Sequence, residues 1–347
     1  MDFTNSTDFP GEALVGSTGD WEQTAMVACK VTYRMADDGS LEPVPTDQMW
    51  PVLGEPASFE GVTLLPELEF RKQGIDLLVF GQAEAPRGWA SRHLTLRVQC
   101  GPVDKRIEVF GDRQWLKGIG GFMRSEAEPF ETMPLTNDRA FGGPGTLAGE
   151  EVIHPFNPDG RGYCMCKEEV EGKPLPNLER PEALITDWKQ APEPACLYKP
   201  IGPLFDASGP GSFDELGQSQ DPMALPRAFI RTAFNQAVPD LVCPTGELGI
   251  TLSLSGFDAD GDLLFPLPPE QAVPGEWGPT VHASIGELKS RFPLSVSTIV
   301  VLAPQRVLIV TYLALFRYLF RPEELRLAEL RWPGATAVPA PTPRGMS

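Results

Sequence analysis

Apolar and polar residues alternate along much of this chain with a period of two. Residues 24–33 (TAMVACKVTY), 75–83 (IDLLVFGQA), 93–100 (HLTLRVQC), 105–110, 249–255 and 262–267 read as strands. They are rich in β-branched, aromatic and aliphatic residues, and turn formers bound them. Asp37-Asp38-Gly39 supplies a hairpin-type turn, since Gly accepts positive φ and Asp bonds its own backbone. Asp258-Ala259-Asp260-Gly261 is expected to do the same between Leu254 and Leu263. Residues 295–302 and 306–319 form a predicted strand pair across Ala303-Pro304-Gln305. Helical periodicity is scarce. The run 224–235 (ALPRAFIRTAFN) predicts one short helix. The run 322–331 (PEELRLAELR) predicts another, with Pro in the first turn, acids early and bases late. A strand continuing to Trp332 is the competing reading. From Pro333 the small, Pro-rich tail is expected to be disordered.

Residues 129–226 break this alternation. Pro, Gly, Asn and aromatics crowd there, and loops this long in a compact domain are functional or unstructured. Phe130, Phe141, Phe156, Tyr163, Trp188, Tyr198 and Phe205 argue for an ordered surface layer. Across the chain, 34 Gly and 37 Pro are dispersed rather than clustered, so they punctuate short strands instead of forming one linker. The expected fold is mainly β: two packed sheets, sandwich-like, with a long ordered Pro/Gly-rich loop layer and few short helices. Residues 1–270 would form the core domain. Residues 271–332 would add a strand pair and short helix packed on it, before a 333–347 tail. No internal repeat is evident.

Charge narrows the partners. The chain has 47 Asp and Glu against 29 Lys and Arg, a formal charge of −18. Such a surface repels phosphate backbones and anionic lipid, which makes nucleic acid and membrane poor partners. A protein with a basic face fits better, although solubility alone also explains net charge. The N-terminus lacks the basic and apolar regions of a secretory signal. The most apolar stretch, 307–316, falls short of the roughly 20 residues a spanning helix needs and reads as core. Cysteines at 29, 100, 164, 166, 196 and 243 are then expected to be reduced thiols in a cytoplasm.

Catalytic signals are sparse. The histidines are His93, His154 and His282, and no HExxH, GxSxG, Walker A or helix-opening GxGxxG motif is present. A Cys–His or Ser–His pair could still assemble in space. Cys164-Met165-Cys166 with Cys196 and His154 is the best metal candidate, but zinc favours two close ligand pairs and only one exists. Small apolar side chains in a loop is the preferred reading there. Asp258, Asp260 and Asp262 resemble a calcium loop, yet the Gly comes fourth rather than sixth and Pro269 stands where Glu would be needed. No cofactor or metal is expected.

Three segments set Arg among Gly and aromatics: FGDRQW (110–115), RAFGG (139–143) and NPDGRG (157–162). Gly lets backbones approach closely, while Arg offers five donors in a planar fork for loop carbonyls or a carboxylate. Asp112 and Glu179 are candidate carboxylate partners. These arginines are expected to pin irregular loops over the sheet, and so to shape a rigid surface for a partner peptide.

With FTNSTDFPGEALVG at the start, Gly54-Glu55-Pro56, IDLLVFG (75–81), PFETMPLTNDRAFGG (129–143) and PLPNLERPEALI (174–185), these segments occur in a characteristic order. The chain thereby resembles a bacterial family catalogued as a domain of unknown function and encoded beside type VI secretion spike, PAAR-tip and toxin genes. The resemblance covers roughly residues 1–270. It implies a non-catalytic adaptor or chaperone that binds a cognate effector protein and helps place it on the PAAR or spike tip. Asp112, Arg113, Trp115, Arg139, Gly142, Gly143, Asn157, Arg161, Asn177 and Leu178 carry over as signature positions, partner-binding or loop-organising, and none as catalytic. YCMC after GRG departs from the pattern, as does the part beyond 270, which could recognise one particular effector. Rival readings are a hydrolase with its site under the 129–226 layer and a structural component exported with the spike.

Overall fold

The two longest strands, Glu22–Met35 and Val307–Leu319, lie side by side in a computed structural model of the chain. They pair antiparallel from Glu22 opposite Leu319 to Arg34 opposite Val307. The structure describes residues 1–17, 22–68, 72, 74–155, 157–192, 235–268, 278–332 and 338–340. Among these the protein is mainly β, with 51 % in strand and no helix of seven residues or more.

The long pair forms the middle of a seven-stranded sheet. Its order is Val242–Cys243, Ile75–Phe80, Ser295–Leu302, Val307–Leu319, Glu22–Met35 and Gly11–Ser17, with Leu41–Pro43 also paired to Glu22–Met35. Covered on both sides, these central strands are buried at nearly every position and rich in Val, Ile and Leu, with Thr24, Lys30, Thr32, Thr298 and Thr311 among the buried polar residues. One face carries Val27, Cys29, Val31 and Tyr33 beside Tyr312, Val310 and Leu308. Across from it stands a five-stranded sheet: Leu178–Glu179, Val103–Phe110, His93–Cys100, Thr251–Ser255 and Leu263–Pro266. Its alternation sends Leu96, Val98, Ile107, Val109, Leu252 and Leu254 into the same core. A four-stranded sheet of Asp2–Asn5, Arg326–Arg331, Thr280–Ile285 and Leu288–Pro293 closes that core with Val281, Ala283, Ala328 and Leu330. The layering is sandwich-like, with this third sheet added to the expected two.

The opposite face of the long pair is sealed by a buried ion pair. Lys30 Nζ lies 2.5 Å from Glu67 Oε2. Lys30 also donates to the Pro51 carbonyl at 2.7 Å, while Glu67 accepts from the Leu53 N–H and the Thr311 hydroxyl at 2.8 and 2.7 Å. Burial lowers the Lys30 pKa and its neighbour Glu67 opposes that shift. Each charge has further hydrogen-bond partners beside the other, as a buried pair requires. They fasten the 50–68 segment over Met26, Ala28 and Leu313.

The structure corrects the sequence reading in several places. Residues 322–331 do not form a helix; Arg326–Arg331 is a strand. It pairs with Asp2–Asn5 on one side and Thr280–Ile285 on the other. Ladders on both sides, the one to Thr280–Ile285 running the full strand, and the burial of Ala328 and Leu330 outweigh the end-charge order that favoured a helix. Nor is the tail free throughout: Val338 is buried and exchanges two 2.8 Å backbone hydrogen bonds with Leu41. The strands at 295–302 and 307–319 sit between Ile75–Phe80 and Glu22–Met35, so chain on both sides of residue 270 shares one sheet. All of 193–226 and the expected helix at 224–235, apart from Asn235, lie outside the described residues. No helix among the described residues is long and apolar enough to cross a membrane.

Candidate functional site: an arginine-locked loop layer

Where Val103–Phe110 ends, the regular ladder gives way to side-chain bonds. The Phe110 N–H donates to the Asn177 carbonyl at 2.8 Å, and its carbonyl accepts from Asn177 Nδ2 at 3.0 Å. The Asn177 side-chain amide thus gives the Phe110 carbonyl the donor that a regular strand neighbour would supply. Asp112 follows as a hub. Its Oδ1 accepts from Arg139 Nη1 at 2.9 Å, from Asn177 Nδ2 at 2.9 Å and from Arg161 Nη1 at 3.5 Å. Arg161 Nε also donates to the Asp138 carbonyl at 2.5 Å, and its Nη2 reaches Asp138 Oδ2 at 3.4 Å. Burial lowers the Arg161 pKa and nearby Arg139 adds to the effect; Asp112 and Asp138 work against it. Two cations and two carboxylates therefore balance within one patch.

Beneath this patch the turns need glycine. Phe141–Gly142 pairs in parallel with Arg161–Gly162. Gly142 (φ 149°) passes so near Asn157 that a Cβ would fall 2.2 Å from the Asn157 carbonyl oxygen. A Cβ on Gly143 (φ 83°) would fall 2.1 Å from that of Gly160. Both are backbone contacts that cannot swing aside. Asn157 Nδ2 binds the Asn137 and Phe141 carbonyls at 2.9 and 3.0 Å, and its own carbonyl takes the Gly143 N–H at 2.8 Å.

Arg113 points the other way, into the interior. Its Nη2 donates to Glu179 Oε1 at 2.5 Å and to the Pro176 carbonyl at 2.8 Å, and its guanidinium lies 3.8 Å over the Phe110 ring. The second Glu179 oxygen accepts the Ile185 N–H at 2.7 Å. Burial lowers the Arg113 pKa against the opposing pull of Glu179. Trp115 anchors a separate apolar cluster with Phe141, Cys164, Val170, Leu175 and Ile185. Leu178 sits opposite Val109 and belongs to the main core.

Of the signature positions, Arg113, Trp115, Gly142, Gly143, Asn157, Asn177 and Leu178 are buried, and their bonds and packing hold loops in place. Asp112, Arg139 and Arg161 bring the same network to the surface. Asp138, Glu169 and Lys173 belong to the layer but escaped the sequence reading. Glu169 Oε1 accepts the Met165 N–H at 2.5 Å and the Cys166 N–H at 3.3 Å. Lys173 Nζ caps the Pro144 carbonyl at 2.7 Å and lies 3.4 Å from Glu169. Their i, i+4 spacing was the available signal.

The remaining candidates lie outside this charge network. His154 is packed edge-on between Phe141 and Tyr163, at 5.3 and 5.1 Å. His93 pairs with Glu108 and stacks on Phe110. His282 is on the outer face of the four-stranded sheet, opposite Arg291 and Glu329. Burial pushes the Cys164 thiol up to about 11. Cys196 lies outside the described residues, among which no three His, Cys, Asp or Glu side chains are grouped to hold a metal. In the acidic turn, Asp258 bonds Arg306 at 2.7 Å and Asp260 bonds Arg87 at 2.5 Å.

Two hairpins project from the layer, Trp115–Gly118 with Gly121–Arg124 and Pro144–Leu147 with Glu150–Ile153. They expose Leu116, Ile119, Met123, Leu147 and Ile153. Fold and layer together define a multi-sheet β protein bearing a fixed, charge-locked loop platform. The family model described as "Uncharacterized protein conserved in bacteria (DUF2169)" matches residues 20–312, and the chain belongs to that family. No curated protein and no solved structure matches it.

Proposed function

We propose that this protein is a non-catalytic adaptor, or chaperone, that works by stoichiometric binding in the bacterial cytoplasm. It would hold a cognate type VI secretion effector and help load it onto the PAAR or spike tip. The type VI assignment rests on the resemblance of the motif series from FTNSTDFPGEALVG to PLPNLERPEALI. The main physical support is the layer itself. Its arginines are spent on internal carbonyls and carboxylates, Arg113 on Pro176 and Glu179, Arg139 and Arg161 on Asp112. That chemistry makes a preorganised relief, which lowers the ordering cost of docking another polypeptide. The apolar hairpins on that relief suit the masking of aggregation-prone segments.

Co-expression with a candidate type VI toxin from the same genome tests the reading. The toxin should gain solubility and co-purify as a stable complex in the presence of this chain. A toxin that behaves identically with and without it would refute the adaptor role.

A further inference from the structure

The hairpin at 115–124 has an asymmetric chemistry. Leu116 and Met123 face each other across it, on the same side. They are 39 % and 59 % exposed, and Ile119 at the tip is fully exposed. Trp115, Lys117, Phe122 and Arg124 occupy the opposite side, where Trp115 is buried and Phe122 packs against its cluster. The segment WLKGIGGFMR carries Lys117 and Arg124 and no carboxylate, in a chain of net charge −18. One side is therefore apolar, and the other presents cations at its margin.

The edges differ as well. Two residues, Ile119 and Gly120, close the turn between Gly118 and Gly121. The Ser125 N–H donates to the Gln114 carbonyl at 2.9 Å, which fixes the alternation of the ladder. Gly121, Met123 and Ser125 then point their backbone groups at the first strand, and Phe122 and Arg124 point theirs outward. The first strand's own outer edge is occupied: the Trp115 N–H bonds the Lys173 carbonyl at 3.0 Å, and its carbonyl takes the Gly172 N–H at 2.8 Å. The second strand has no neighbour on its outer side among the described residues. Neither proline nor a bulge interrupts it, and its four residues end in the cationic Arg124.

We propose that the Gly121–Arg124 strand accepts an extended segment of a partner polypeptide as a third strand. The segment alternates apolar and acidic residues. Its apolar side continues the Leu116–Met123 surface, and its carboxylates lie on the side of Arg124 and Lys117. Main-chain bonds to Phe122 and Arg124 would supply affinity and the two-sided pattern would supply selectivity, as in other strand-addition sites. The inference rests on the adaptor reading and names the edge such a partner uses. A lipid surface has no row of main-chain donors and acceptors to continue the ladder at Phe122 and Arg124, so a polypeptide is the occupant.

Fluorescent peptides of about nine residues, a usual strand length, test this on the full chain. They alternate Val with Glu, Val with Lys, or Val with Ser, and a fourth is the Val/Glu peptide with alternate backbone nitrogens methylated. The Val/Glu peptide should bind best and should slow amide exchange at Phe122 and Arg124. Methylation, or the exposed-site double variant I119D/M123D, should each weaken it by about tenfold, the equivalent of one or two net hydrogen bonds or buried methylenes. Equal binding of the methylated or Val/Lys peptides would overturn the inference. So would no peptide binding, or a preference for phosphatidylcholine vesicles containing phosphatidylserine. Retention of the co-expressed toxin by I119D/M123D would sink this edge and leave the adaptor reading standing.

Discussion

The seven-stranded sheet and the 110–185 loop layer are held in place for opposite reasons. In the sheet, long strands pair over many residues and apolar side chains exclude water from both faces. In the layer, strands are as short as the two residues Phe141–Gly142 or Leu178–Glu179, and its apolar cluster is small. Order there comes from Asn177, Asn157, Arg113, Arg139, Arg161 and Asp112 bonding backbone and one another. Sheet stability scales with buried area and is spread over many contacts. Layer stability is concentrated in a few charge-assisted bonds, so its failures should be local and abrupt.

The strongest challenge to that contrast is Glu179→Ala. It leaves the buried Arg113 guanidinium unpaired and removes the acceptor of the Ile185 N–H. A cost of about 3–5 kcal/mol is expected for breaking a buried pair from one side. Amide exchange should accelerate first at residues 110–185. Acceleration spreading equally through Glu22–Met35 would show that the two regions are one cooperative unit. Ile309→Ala, in the sheet, should cost about 2–5 kcal/mol through the cavity left in close packing. That loss should appear as a lower urea midpoint for the whole chain.

Gly143→Ala asks whether the layer tolerates even a methyl group. Left-handed strain alone is worth about 1–2 kcal/mol, and the 2.1 Å approach to the Gly160 carbonyl adds displacement of that loop. Differential scanning calorimetry should show a lowered or split transition. Glu169→Gln sharpens the electrostatic side, at about 1.5–3 kcal/mol for bonds made to a charged group. Burial acts to raise the Glu169 pKa, but N–H bonds from Met165, Thr146 and Cys166 with nearby Lys173 hold it below the usual carboxylate value. A depressed carboxylate contributes its stability above its unfolded pKa of about 4.3 and loses it as pH falls through the folded value. The gap between wild type and variant in urea unfolding should be full at neutral pH and close in acid below that point.

Asp112→Ala should have the smallest effect, about 0.2–1 kcal/mol, because the carboxylate is half exposed and the pairs are open to solvent. High salt should shrink it further. A salt-insensitive loss would place Asp112 with the buried bonds of Arg113 rather than on the surface.

Much of this was legible before folding. Alternation marked 93–100 and 249–255 as strands, because a half-buried pleat requires it, whereas 24–33 stood out by its β-branched, aliphatic and aromatic content and is buried on both faces. Arg113, Arg139 and Arg161 stood out because Gly and aromatics around a guanidinium leave few other ways to satisfy irregular backbone. The 322–331 segment misled because local charge order and a leading proline are helix signals, and the strands that claim it come from residues 2–5 and 280–285. The hairpin at 115–124 gave only a glycine-rich tip, which says nothing about which edge remains open.

By itself, then, the sequence determined the β character, the acidic surface and the residues able to lock loops, since these follow from side-chain chemistry and local period. Tertiary structure decided which carboxylate meets which arginine, that Lys30 and Glu67 share one buried site, and that Arg326–Arg331 is a strand. Those outcomes depend on contacts between residues tens to hundreds of positions apart, and local preferences of a few tenths of a kcal/mol per residue cannot specify such partners.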